Sequence, residues 1–148
     1  MMRRHLPMIM IFFFTAGGPL WAAEPVGIVK SVLGGAQLQR GTQMIPLAVG
    51  GTVEAKDRIV TDASGSVGIS MKDDTLLSIG PRSALTVDEF AFNPTTQAGL
   101  LGINVVSGTL RMVTGLIAKQ SPQSVRITTP NAAIGVRGTD FIVEVPTS

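Results

Sequence analysis

The chain has 148 residues, twelve basic against ten acidic, with one histidine, one tryptophan and no cysteine or tyrosine. That length fits one ordinary domain, large enough to bury a core without disulfide staples. So few tunable side chains leave little room for histidine- or cysteine-based catalysis or for a soft-metal site.

The first element in chain order is a targeting segment. Arg3 and Arg4 precede the run Leu6 to Phe14, which is apolar apart from Pro7; Gly17, Gly18 and Pro19 break it before Leu20-Trp21-Ala22-Ala23. This charge–apolar–small order is that of a secretory signal peptide, assigned to residues 1–23, with cleavage after Ala22 or Ala23. Its apolar part is shorter than the ~20 residues a membrane-spanning helix needs, so no transmembrane segment is expected after cleavage. No cysteine follows, which excludes a lipoprotein anchor. Taking Arg3 and Arg4 from the twelve basic residues leaves ten against ten acidic ones in 24–148. The basic pI of about 9.5 therefore belongs to the signal, and with it the hint of nucleic acid or anionic membrane. His5 and Trp21 leave with the same segment.

From Val26 onward the apolar residues recur with period two. Ser66–Met71, Ala84–Asp88 and Ser124–Thr128 alternate, and so does Asp140–Val145 apart from Ile142. Such alternation buries one face of a strand and wets the other. Val, Ile and Leu make up about 28% of residues 24–148, above the roughly 20% below which a charged chain tends to disorder. Turns are expected at Gly34-Gly35, Gly50-Gly51, Ser64-Gly65, Asp73-Asp74, Gly80-Pro81 and Ser107-Gly108. Asn93–Gly99 reads as an exposed loop, and Gly115–Pro122 has room for one helical turn. Many short strands with frequent turns predict an all-β domain: a sandwich, a barrel or a solenoid-like roll.

Chemistry has few candidates. The carboxylate pairs Asp73-Asp74 and Asp88-Glu89 place neighbours on opposite faces of a strand, so they read as solvated turn and rim charges. No calcium loop, phosphate-binding loop or nucleophile elbow occurs, so no catalytic, cofactor or metal residue is expected. The basic residues are spread singly without aromatic stacking partners, which excludes nucleic acid.

The last stretch, Thr128 to Phe141, holds one arginine in a neutral, glycine-rich setting. Thr129-Pro130, Gly135-Val136-Arg137-Gly138-Thr139 and Asp140-Phe141 resemble the signature of the FecR domain family. Gly50-Gly51, Asp57–Thr61, Gly65–Met71, Leu76–Gly80 and Ser83–Val87 are similar to its preceding strands, and Ser107–Arg111 resembles its Gly-x-Leu-Arg segment. At Asp73-Asp74-Thr75 the chain departs from the Asp-Gly more usual in that family. The resemblance covers nearly all of Val26 to Val145 and implies an all-β domain outside the cytoplasm. Full-length FecR regulators relay a signal from an outer-membrane transporter to a cytoplasmic sigma factor. This chain resembles only their periplasmic domain, so direct sigma-factor regulation is not expected to carry over.

Two readings of Arg137 follow. In the structural one its five donors clamp loop carbonyls or an acid and fix the last strand, as buried charges normally require. In the functional one Arg137 and Asp140 line the face that a partner touches. The expected fold is a compact two-sheet solenoid-like roll over 24–148, with a jelly-roll-like β-sandwich as the alternative. The expected role is a periplasmic, non-catalytic sensory or accessory module that binds an envelope or membrane signalling protein. A cell-wall or glycan-binding structural domain is the alternative, disfavoured because Trp and Tyr are missing from 24–148.

Overall fold

The computed structural model describes residues 23–147, so the expected signal segment lies outside it except for Ala23. Alternating apolar residues produce twelve strands among the described residues. The first six are β1 (Pro25–Leu33), β2 (Ala36–Arg40), β3 (Gln43–Pro46), β4 (Thr52–Glu54), β5 (Arg58–Thr61) and β6 (Ser66–Met71). They are followed by β7 (Leu76–Ile79), β8 (Ala84–Phe92), β9 (Gly99–Val113), β10 (Val125–Thr128), β11 (Ala133–Gly135) and β12 (Asp140–Val145). The helical turn anticipated after Gly115 is α1 (Leu116–Gln120), continued by a 3₁₀ turn at Pro122–Ser124.

The fold is all-β, as expected. The strands run β3-β2-β5-β8-β9-β7-β6-β1-β4, with β10 and β12 also on β9 and β11 on β10. The two halves of the expected roll are joined through β9 into one curled, open sheet, a half-barrel. The first part of β9, Gly99–Ser107, pairs with β8; within it Leu101–Asn104 also runs parallel to β10. Its second part, from Gly108, pairs with β12 and, from Leu110, with β7.

Ser107-Gly108 is therefore not the turn that the sequence suggests. It is a bend inside a single fifteen-residue strand. Gly108 has φ 89, and a Cβ there would lie 2.1 Å from Ser83 Oγ, so only glycine allows the strand to change halves at this point. The bend is tied down by Thr109 N–H donating to Ser83 Oγ at 3.0 Å and by Ser83 N–H donating to Thr61 Oγ1 at 2.9 Å.

The curl encloses one core. Leu38, Ile59, Leu85 and Ile103 face Ile69, Leu77, Leu110 and Met112, all essentially inaccessible. Each such side chain contributes roughly 1.5–3 kcal/mol relative to exposure. Ile117 of α1 is also fully buried and packs against the backbone at Gly99.

One carboxylate departs from the solvated reading. The Asp73-Asp74 turn does link β6 to β7, but Asp73 is wholly buried. Its Oδ2 accepts from Thr75 Oγ1 at 2.8 Å and from Ile117 N–H at 3.3 Å, while its carbonyl accepts from Leu116 N–H at 2.7 Å. Asp73 thus caps α1 from a distant turn, satisfying amides that begin the helix and have no partner within it. Asp74 is exposed at φ 66, a left-handed conformation in which glycine would be at ease.

Candidate functional site

The residues singled out in the sequence lie between β10 and β12 and form one border of the half-barrel. Thr129-Pro130 opens the turn from β10 to β11. Thr129 N–H donates to Ala132 C=O at 2.8 Å, and Thr129 Oγ1 accepts from Ala132 N–H at 3.1 Å. The β10–β11 register pairs Thr128 with Ala133, Ile127 with Ile134 and Arg126 with Gly135. Bonded and non-bonded pairs alternate in an antiparallel ladder. Because Thr129 and Ala132 are a bonded pair, the N–H and C=O of Ala133 and Gly135 point away from β10. Among the described residues β11 has no other neighbour, so this edge is open.

Beyond β11, Val136 turns inward and is 5% exposed, while Arg137 stands in solvent. Gly138, at φ 105, reverses the chain. Thr114, following β9, receives it: Thr114 N–H donates to Thr139 C=O at 2.8 Å, and its hydroxyl reaches the Gly138 carbonyl at 3.3 Å. Phe141 is half-buried against the core, and Ile142, the exception to the alternation, is 60% exposed.

Asp140 is held by Arg111, not by Arg137. Arg111 Nε donates to Asp140 Oδ1 at 3.0 Å and its Nη2 to Oδ2 at 2.6 Å. These hydrogen bonds keep the Asp140 carboxyl below its ordinary value near 3.8, with desolvation opposing them and Coulomb attraction to Arg111 adding to them. The Arg111 guanidinium is raised by the same pairing. Arg137 makes no ion pair or side-chain hydrogen bond among the described residues, which corrects the reading of it as an internal clamp. Buried charges need partners; Arg137 is not buried, so the fold makes no such demand.

The internal arginine clamp lies elsewhere, at Arg40. Its Nε and Nη2 donate to the buried Asp57 carboxylate at 2.9 and 2.6 Å, and its Nη1 lies 3.1 Å from Glu54. That grip ties β2 to the β4–β5 turn at the opposite end of the sheet order.

A groove of about 500 Å³ lies between the 3₁₀ turn with the start of β10 and the segment Ala133–Arg137, and Arg137 and Arg126 both line it. Arg126 escaped the sequence reading because only the β10–β11 register brings it opposite Gly135. A second groove, of about 420 Å³, runs from Ile134–Arg137 to Phe141–Glu144, between the open edges of β11 and β12. Thr129, Pro130 and Thr139 thus shape the turns, Val136 and Phe141 anchor them, and Gly135 and Arg137 face solvent.

The carboxylate pairs do not converge. Asp73 points into the protein and Asp74 out, Asp88 is half-buried and Glu89 exposed. Among the described residues no three His, Cys, Asp or Glu side chains gather as a metal site would require, and no helix is long and apolar enough to cross a membrane.

Compared with known protein families, the chain matches the family described as FecR protein over residues 57–148, more than half its length. The match spans β5 to β12 and includes every residue of the β11–β12 border. Neither a curated protein nor a solved structure gives a match.

Proposed function

The chain belongs to the FecR family, and on that premise we propose that it is an exported, non-catalytic module that acts by binding another protein of the cell envelope. The family is a signalling regulatory one, generally without enzymatic activity. The observation that carries the reading is the position of Arg137. The side chain at the centre of the family motif is solvent-exposed and has no partner among the described residues, while the motif residues around it serve turns and anchors. A residue that the fold does not use, on an edge that the fold leaves open, suits contact with a partner.

Export rests on the signal-like segment 1–23, and the periplasm is the compartment we assign. Processed protein recovered from the periplasm should begin at Ala23 or Glu24. The partner class is an envelope or membrane signalling protein, and genes for such proteins are expected beside this one.

Photo-crosslinking in intact cells tests the reading. A photoreactive residue at Gln123 or Ala133 should capture a discrete envelope protein, and Arg137→Met should abolish the capture. Retention of the purified protein on isolated cell wall, with no protein captured, would instead favour a glycan-binding structural domain. Turnover of a small molecule by the processed protein would contradict the non-catalytic reading.

A further inference from the structure

Among the described glycines, Gly135 alone combines an ordinary φ with open space: a Cβ there would meet nothing within 4 Å. Gly108 and Gly99 have no room for a side chain, and Gly41, Gly50 and Gly138 have positive φ. Neither backbone nor packing asks for glycine at 135. A glycine in a strand that the fold does not need marks a place where something from outside approaches the backbone.

The surroundings specify what approaches. Arg126 lies opposite Gly135 in the β10–β11 register, and Arg137 follows two residues later. Both guanidiniums line the 500 Å³ groove, and no acidic residue lines it. Asp88 and Glu89 border the neighbouring groove beyond Arg126, yet neither pairs with it among the described residues. The outward N–H and C=O groups of Ala133 and Gly135 complete the arrangement: a hydrogen-bonding edge with Arg126 on the strand behind Gly135 and Arg137 beyond its end, while the groove toward β12 carries one acid, Glu144.

We propose that the β11 edge at Gly135 binds an extended, acidic segment of the partner protein, which adds to the sheet as a strand and places a carboxylate between Arg126 and Arg137. The backbone of the incoming strand pairs with Ala133 and Gly135, and the missing Cβ of Gly135 leaves room for the acidic side chain. Side chains alternate along the added strand, so acids face the arginines while apolar residues lie on the side of half-buried Ile134. Charge-assisted hydrogen bonds from two guanidiniums supply the selectivity. This proposal deepens the protein-binding role above and rests on it.

The test uses a synthetic peptide, Thr-Glu-Val-Glu-Val-Glu-Thr, titrated into the isotope-labelled protein and followed by NMR. The expected result is a saturable shift of the Ala133 and Gly135 amides, absent with lysine for glutamate and absent with proline for valine. Gly135→Val, and separately the double variant Arg126→Gln/Arg137→Gln, should each weaken binding by at least about tenfold while the remaining spectrum stays native. Equal binding of the lysine peptide, shifts elsewhere on the sheet, or binding of an oligogalacturonate but not the peptide would overturn the proposal. Crosslinking keeps the two readings apart. Capture of an envelope protein from Met44 on β3, with none from Ala133, would leave the protein-binding role standing and refute this site.

Discussion

Arg111 on β9 holds Asp140 at the start of β12 through two parallel hydrogen bonds, of 3.0 and 2.6 Å. The pair closes the end of the motif segment onto the longest strand, and Arg137 has no acid paired with it among the described residues. Both side chains are about half exposed, so water and salt weaken the pair.

The sign of its pH dependence follows from the lowered Asp140 carboxyl. The folded chain favours the charged form, so the stabilisation is complete above the ordinary value near 3.8 and is lost as pH falls toward the lower folded value. Asp140→Asn should be slightly less stable than the parent at neutral pH, with the gap closing below pH 3.8. Urea denaturation across that range checks it; a gap independent of pH would show that the ion pair is not its source.

Asp73→Ala strikes a different kind of acid. It removes the acceptor that serves Thr75 and Ile117, and should cost roughly 2–4 kcal/mol, with Asp73→Asn costing less because it keeps one oxygen. Near-UV signals are few in this chain, so denaturation followed by far-UV circular dichroism is the suitable measurement. A neutral Asp73→Ala would mean that α1 does not depend on this cap.

Asp74→Gly should stabilise the protein, by about 0.5 kcal/mol. The left-handed backbone costs an L residue roughly 1–2 kcal/mol, less for aspartate, while glycine loses some of the gain to unfolded-state entropy. Gly108→Ala goes strongly the other way, by roughly 3–5 kcal/mol, since its Cβ would collide with Ser83 at a positive φ. Thermal melts of both variants decide whether these two left-handed positions differ as described.

Much of the fold was legible because alternation is local. Ser66–Met71 buries every second residue, and Asp140–Val145 exposes Ile142, where the pattern breaks. Partners brought together by distant register were not legible. Asp73 looked solvated because the amide it caps, that of Ile117, arrives 44 residues later. Ser107-Gly108 looked like a turn because glycine signals a bend without saying whether the strand ends there. Asp140 lies three residues from Arg137 in sequence, yet the β9–β12 register delivers Arg111 to it from 29 residues earlier. The motif itself was visible as a string; which members serve the fold and which face outward required the open edge of β11 and the turn at Gly138.

The most direct measurement compares the stability and the contacts of Arg137→Met. An exposed, unpaired arginine should be replaceable with a change within about 0.5 kcal/mol in urea denaturation, while crosslinking from Ala133 to an envelope protein disappears. A loss of several kcal/mol, or capture undiminished by the substitution, would contradict the claim that this side chain is kept for a partner and not for the fold.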